Sequence, residues 1–266
     1  MDEFLSGSKL YGDDFNIEQI LAWFDDEKEG YADLGAKVKN NYNYAYHALN
    51  QICGYNNLPK KKFNNVLGVG SAYGDELMPI LGRLNNITIL EPSGAFKNKN
   101  INGVPCLYVK PEASGEMPFE NNQFDLITTL GVLHHIPNVS YVVSEIARCL
   151  SSDGVALIRE PITSMGDWRR KRAGLTKRER GIPLDVFESI ISNAGMVVLK
   201  RTYCVFPPLT VVARKLHIGL YGSRILVYLD ILLSKLFFRN YKYHSKSFLD
   251  KFRPGSVYYV LGKKAL

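Results

Sequence analysis

The sequence predicts an α/β fold: a doubly wound, mostly parallel seven-stranded sheet, with helices in front of it and a helical insertion before the last strand. Three observations predict it. From Phe63 onward, strand-like apolar runs alternate with helical segments, the pattern of a parallel sheet covered on both faces. The run QFDLITTLGV is apolar on both of its faces, as a buried parallel strand is. A glycine-rich turn, VLGVGSAYGDEL, joins the first strand to the helix after it.

The elements follow in order. NIEQILAWFDDEKEG spaces Ile17, Ile20, Leu21 and Phe24 along one helix face, with Asn16 as its cap. A second helix is expected across NYNYAYHALNQICGY, and Lys60-Lys61-Lys62 closes this N-terminal part. The strands are FNNVLGV, ITILE, VPCLYV, QFDLITTLGV, GVALIRE, MVVLKRTYCVF and SVYYVLGKK. The helices between them are DELMPILGRL, VSYVVSEIARCL and PLDVFESIISNAG, the last starting with Pro183 at its first position and stopping at Gly195. Residues 207–254 are too many for a hairpin loop and predict a cap of their own. The expected organisation is a helical lid (1–62), an α/β domain (63–206 and 255–266) and the cap insertion (207–254).

Composition narrows the class. A chain of 266 residues, 46 % hydrophobic and 22 % charged, is neither disordered, collagenous nor a coiled-coil rod. Its four cysteines lie far apart, so neither a disulfide framework nor a cysteine zinc site is expected, and no metal. The start, MDEFLSGSKLYGDD, lacks the apolar core of a secretory signal. No charge-free apolar stretch reaches the roughly 18 residues of a spanning helix. A cytoplasmic location follows as the expectation. The net charge of +7 hides an asymmetry: residues 1–160 carry 13 Lys and Arg against 20 Asp and Glu, and residues 161–266 carry 20 against 6. Such a split predicts two surfaces with different partners, or a solvated basic face.

The glycine turn and the acid after the second strand point to a nucleoside-containing cofactor. Gly68, Gly70 and Gly74 permit a tight turn and a close approach of backbone to ligand. Amides at a helix N-terminus favour a polar or anionic group. Glu91, at the tip of ITILE, stands where a carboxylate accepts the two hydroxyls of a ribose.

Over roughly residues 65–195 these motifs resemble the class I S-adenosylmethionine-dependent methyltransferases, in particular the small-molecule group. VLGVGSAYG is similar to the family's first motif and ILEPS to its second. MPFENNQFDLITTLGVLHHIPN and LSSDGVALIREP are similar to the runs through the fourth and fifth strands. The resemblance implies S-adenosylmethionine as cofactor, held by Gly68, Gly70, Ser71, Ala72, Gly74, Glu91 and Pro92. It further implies Glu112 and Ala113 near the adenine, and Leu130 and Gly131 at the methionine and sulfonium end. Two departures stand out. Gly68 replaces the usual acid, with Asp75 or Glu76 as the compensating candidates, and Ala72 replaces the middle glycine.

Methyl transfer to an oxygen gains from a general base. His134 and His135, just past the fourth strand, are the candidates, His135 first. Glu160 at the tip of the fifth strand is the other, its alternative role being an ion pair with Arg159. Tyr31, Tyr44 and His47 are lid residues that either touch the cofactor or pack on the domain edge. A nicotinamide dehydrogenase would need a hydride-transfer set, yet the one Tyr-x-x-x-Lys, Tyr259 to Lys263, lies in the last strand. LGVLHH stands where nucleobase and glutamine N-methyltransferases carry an Asn/Asp-Pro-Pro-aromatic motif.

The order of motifs, GDWRRKRAGLTKRERGIP included, resembles more loosely the methyltransferases of bacterial surface-glycan assembly. That implies a small-molecule or lipid-linked glycan acceptor and a role in polysaccharide biosynthesis. Arg169, Arg170, Lys171, Arg172, Lys177, Arg178 and Arg180 are placed to grip phosphate. Across 216–239 a helical wheel gathers Arg224, Asp230, Lys235 and Arg239 on one half and Ile225, Leu226, Leu229, Leu232, Leu233, Leu236 and Phe237 on the other. Such a helix either lies on the inner face of a membrane, packs on the sheet, or forms a homodimer contact. The competing functions are an RNA 2′-hydroxyl methyltransferase and a non-catalytic assembly factor on a degenerate methyltransferase domain.

Overall fold

The computed structural model describes residues 2–39 and 42–264. Asn41, where the second expected helix begins, and the last two residues of the expected 255–266 segment lie outside the described residues. Eight strands form one sheet: β1 (Phe63–Val69), β2 (Leu84–Leu90), β3 (Asn100–Ile101), β4 (Val104–Val109), β5 (Phe124–Leu130), β6 (Leu150–Pro161), β7 (Met196–Cys204) and β8 (Ser256–Lys263). Their order is β3-β4-β2-β1-β5-β6-β8-β7. The strands from β4 to β6 pair parallel, and β8 runs antiparallel between β6 and β7. The seven expected strands are present; the eighth, β3, is a two-residue ribbon antiparallel to β4, too short to leave a periodic signal.

Among the described residues seven α-helices accompany the sheet: α1 (Asp2–Ser6), α2 (Ile17–Glu27), α3 (His47–Cys53), α4 (Val139–Cys149), α5 (Leu184–Asn193), α6 (Pro207–Lys215) and α7 (Arg224–Leu236). Asn16 does cap α2, in a reciprocal box: its side chain accepts from the Gln19 N–H, and the Gln19 side chain accepts from the Asn16 N–H. Pro183 is the N-cap of α5, not its first residue, because its extended ψ of 135° places it outside the helix. The segment after β1, expected as a helix, is a tighter 3₁₀ run over Asp75–Arg83 with Pro79 inside it. A proline within a helix interior removes an amide donor and clashes with the preceding turn, which disfavours a regular α-helix there.

Strand residues alternate between two cores. Val69, Ile127, Ile158 and Tyr259 pack with α4 and α5 on one face. Val66, Leu126, Leu157 and Tyr258 pack on the other with α3 and with Ala213, Leu220, Tyr221 and Val227 of the 207–254 insertion. The insertion is thus a further layer on the sheet, stacked through Tyr46 on Tyr221 at 5.0 Å between ring centroids. Within it, the expected single wheel over 216–239 is divided into a short 3₁₀ turn (Leu220–Gly222) and α7.

Of the arrangements expected of α7, packing of its apolar side on the sheet is not the one observed. Asp230 is fully buried and its carboxylate accepts the N–H groups of Val205 and Phe206 at 2.7 and 2.8 Å, at the start of α6. Ser234 is buried beside it. The apolar residues face outward instead: Ile225 is 81 % exposed and Leu236 65 %, with Tyr228, Leu229 and Leu232 exposed between them.

Candidate active site

All the carboxyl ends of the parallel strands open into one cavity of about 770 Å³. The N-terminal segment walls one side of it with Trp23, Glu27, Tyr31, Tyr42, Tyr44 and Tyr46. Of the three lid residues expected either to touch the cofactor or to pack on the domain edge, Tyr31 and Tyr44 line the cavity and His47 does not.

The glycine turn is built for close approach. Gly70 has φ +61°, and a Cβ there would lie 2.6 Å from Val132. Its N–H donates to the Leu90 carbonyl at 2.8 Å, tying the turn to β2. Ala72 is held at φ +48°, a left-handed conformation that suits glycine better. What holds it is Glu91, whose carboxylate accepts the Ala72 N–H at 3.1 Å and the Ser93 N–H at 3.0 Å. Burial pushes the Glu91 carboxyl up, and these two N–H groups draw it partly back. The carboxylate has acceptor capacity left over, and Glu91 lines the cavity with Gly70, Ser71, Ala72 and Pro92. Glu112, Ala113, Leu130 and Gly131 line it too, whereas Gly68 and Gly74 lie behind the wall: a Cβ on Gly74 would strike Ile101. These residues fit a nucleoside: a hydroxyl-accepting carboxylate beside a bare backbone turn.

The position usually taken by an acid is filled from elsewhere. A Cβ on Gly68 would collide with the Ser71 hydroxyl and lie 3.6 Å from a carboxylate oxygen of Glu76. Glu76, in the first turn of the 3₁₀ run, is only 3 % exposed and lines the cavity. Of the two compensating candidates, Glu76 is the one that reaches this place; Asp75 does not line the cavity.

The three base candidates separate into distinct roles. The Glu160 carboxylate is fully buried. It accepts the N–H groups of Val132 and Leu133, both at 2.8 Å, the N–H of His134 at 3.3 Å, and His134 Nδ1 at 2.7 Å. The expected alternative, an ion pair with Arg159, does not form. Successive strand residues point to opposite faces, so Arg159 lies across the sheet against Tyr46. His134 is wedged between Glu160 and Glu179, with Nε2 3.4 Å from the latter. Burial would lower its pKa, but the two carboxylates outweigh burial and raise it to about 9. Against its own burial, Glu179 is drawn down to about 2, chiefly by His134 and with help from the Thr176 N–H. His134, His135 and Glu179 bring three potential metal-ligand atoms within 4.8 Å of one another, and the His134 proton supplies positive charge there.

His135 stands apart from that pair. Its Nδ1 is 2.8 Å from Glu27, which also accepts the Thr176 hydroxyl and the Arg178 N–H, both at 2.6 Å. A carboxylate can only accept, so Nδ1 carries the proton and Nε2 is left as the acceptor. Burial, then the neighbouring His134 charge, lower the His135 pKa and keep it neutral near pH 7. Glu27, Thr176 and Glu179 were not legible as site residues. Glu27 lies 108 positions from His135, in a helix that reads as an ordinary amphipathic segment.

The basic run after β6 is largely spent inside the chain. Lys177 and Arg178 pair with Asp26, and Arg169 with Asp167. Arg180 is fully buried and donates to the carbonyls of Tyr11, His134 and Pro137, bracing the histidine turn. The expected phosphate grip of seven cations is therefore not assembled.

Residues 67–158 match a family model described as a methyltransferase domain. No curated protein matches the chain. Among solved structures, it is similar to YcgJ from Bacillus subtilis, at 16 % identity and a TM-score of 0.53, covering 83 % of this chain and 99 % of that one. The [4+2]-cyclase SpnF aligns at 13 % identity and 0.60, covering 94 % and 96 %. A Haemonchus contortus phosphoethanolamine N-methyltransferase, in complex with phosphomonomethylethanolamine and S-adenosylhomocysteine, aligns at 14 % and 0.60, covering 92 % of this chain and 60 % of that one. At such identities these likenesses speak for the fold. Together with the matched domain, they place a methyltransferase domain of this fold in the chain.

Proposed function

We propose that the enzyme methylates an oxygen of a sugar or lipid-linked acceptor, with His135 as the general base and residues 1–62 as the lid over the donor. The observation that carries the reading is the Glu27–His135 pair, which leaves a neutral Nε2 acceptor in the donor cavity. S-Adenosylmethionine brings a methyl group already activated on a sulfonium, so the protein's share is alignment, exclusion of water and removal of one proton. Glu91 and the turn at Gly70–Ala72 orient the nucleoside. Leu130 and Gly131 flank the sulfonium end. His135 Nε2 takes the proton of the acceptor hydroxyl as the oxygen attacks, and Glu27 stabilises the imidazolium that results. Glu160 acts through His134 and the turn it anchors, as a positioning residue.

The lipid-linked part of the reading rests on the insertion. No described helix is long and apolar enough to cross a membrane. Yet α7 exposes its apolar side, and α6 adds Val211 and Val212. Residues 207–249 hold seven Lys and Arg and a single acid, the buried Asp230. An apolar face rimmed by cations suits the surface of an anionic bilayer. Val211 and Arg214 also line the cavity, so α6 joins that face to the site. The RNA reading loses its main support, because most of the basic run pairs internally.

The test is transfer of labelled methyl from S-adenosylmethionine to three probes: a polyprenyl-linked saccharide, a soluble sugar phosphate and phosphoethanolamine. An ether product on a saccharide is expected. His135→Asn and Glu27→Gln should each lower turnover, the first by about 100-fold or more, with S-adenosylhomocysteine affinity unchanged. Methylation of the amine alone, or full turnover in His135→Asn, overturns the reading.

A further inference from the structure

The cavity has a second lobe, across the sheet from the histidines. Alternation along β6 puts Arg159 on the same face as Leu157, the face that the 207–254 insertion covers, and Glu160 on the other. Tyr44, Tyr46 and Ser256 line this lobe with Arg159, and Thr210 and Arg214 of α6 line it from the insertion. Gly131 stands where the two lobes meet. A Cβ there would lie 3.4 Å from the Arg159 guanidinium and 3.8 Å from the His134 ring, so its absence keeps the lobes joined.

Two cations of this lobe have no counter-ion. Arg159 is 7 % exposed, lies 4.0 Å over the Tyr46 ring, and donates to the Leu130 carbonyl at 3.0 Å and the Asn50 side chain at 3.4 Å. Most of an arginine's five N–H donors thus remain unused. The Arg214 side chain has no partner among the described residues, and no carboxylate among them lies within ion-pair distance of either guanidinium. Glu76 feels the Arg159 charge but stands against Gly68 and does not pair with it. An aromatic stack ties the two cations to one place. Tyr46 lies 5.0 Å from Tyr221 between ring centroids, Tyr221 is beside Thr210, and Thr210 and Arg214 are neighbours on successive turns of α6. Hydroxyls add donors. Tyr44 accepts the Asn50 amide at 2.7 Å, which leaves its own proton to give, and the Ser256 hydroxyl has no partner among the described residues.

A buried cation without a partner is costly, and such groups persist where a ligand completes them. Guanidinium and hydroxyl donors gathered in one lobe fit a group with several anionic oxygens. Between Thr210 and Arg214 on α6 stand Val211 and Val212, part of the exposed apolar face, so the lobe borders that face. The group that joins a saccharide to a lipid carrier is a phosphate. We propose that Arg159, Tyr44 and Ser256, with Arg214 at the entrance, form a receptor for the phosphate of the acceptor, and that the substrate is a phosphorylated saccharide. The inference rests on the acceptor reading above and deepens it. With its phosphate seated there, the sugar crosses the gap at Gly131 toward the sulfonium end and His135.

Binding to the S-adenosylhomocysteine-loaded chain tests it. Calorimetry compares inorganic pyrophosphate, a hexose 1-phosphate and the plain hexose, and sedimentation compares phosphatidylcholine vesicles with and without a polyprenyl phosphate. Both soluble phosphates should bind at least about 10-fold more tightly than the plain hexose, the range for hydrogen bonds to a charged group. Arg159→Met should bring that preference to within about twofold, and Arg159→Lys should recover part of it. Arg214→Met, at the surface, should weaken both phosphates by about threefold. S-Adenosylhomocysteine affinity should stay within about twofold in all three variants. Should Arg159→Met melt early, Arg159→Lys and Arg214→Met carry the comparison. Recruitment by the polyprenyl phosphate that falls in Arg159→Met assigns the receptor to a lipid headgroup, and a response to the hexose phosphate alone assigns it to a soluble sugar phosphate. Equal wild-type affinity for phosphate and plain hexose overturns the receptor. So does a phosphate preference that survives in Arg159→Met, and a fall in S-adenosylhomocysteine affinity there would instead assign Arg159 to the donor. Phosphate binding with no methylated saccharide in the transfer assay leaves the receptor standing and overturns the acceptor reading beneath it.

Discussion

Replacing Glu160 by glutamine probes the charged wedge under the histidine turn. The substitution keeps the shape and one acceptor oxygen but swaps the other oxygen for a donor. In the native chain that carboxylate faces four donors: three backbone N–H groups and His134 Nδ1. The new amide nitrogen must confront at least one of them, and the charge that holds the His134 proton is halved, with Glu179 alone remaining. The His134 pKa, raised from 6.5 to about 9, corresponds to roughly 3 kcal/mol of stabilisation of the protonated form at about 1.4 kcal/mol per unit. Breaking a buried pair by removing one partner costs a comparable 3–5 kcal/mol or so. The sign follows from the direction of the shift. A folded-state pKa above the unfolded value contributes stability that is complete below about pH 6.5 and disappears as pH rises through about 9. Urea unfolding followed by Trp23 and Trp168 fluorescence should therefore show Glu160→Gln about 3 kcal/mol less stable at pH 6. At pH 10, where the wild-type pair is already neutralised, the gap should shrink to the hydrogen-bond part. A His134 ring that titrates near 6.5 by NMR, or a stability gap of the same size at both pH values, would refute the reasoning.

Three further outcomes are expected. Ala72→Gly should raise stability by up to about 1 kcal/mol, because φ +48° strains an alanine, and should keep S-adenosylhomocysteine affinity; a loss of stability in urea unfolding would contradict the strain argument. Asp230→Ala should cost about 1–3 kcal/mol for each of the two buried N–H groups left without an acceptor, and thermal melting would show no shift if Asp230 were a surface residue. The chain should sediment with phosphatidylglycerol vesicles at low salt and not with phosphatidylcholine vesicles, less so at high salt and less so for Leu229→Asp; equal binding by that variant would exclude the α7 face.

Sequence alone determined what depends on local chemistry and period. The strand–helix alternation, the glycine turn and the acid at the end of ITILE are each written within about a dozen residues, and strands buried on both faces need apolar residues throughout. The sheet, the cavity wall formed by that turn and that acid, and the Asn16 cap were legible for that reason. What tertiary structure decided is what joins distant segments. Glu27 reaches His135 across 108 positions, and no pattern in a solvent-facing helix marks such a partner. Glu160 reads as a candidate base by position, yet three backbone amides that only the fold turns inward make it an anchor. On α7 the wheel separates apolar from charged residues correctly but cannot say which side meets the protein. That was settled by Asp230, drawn inward by two free amides at the start of α6, since unpaired buried N–H groups cost more than leaving leucines in water.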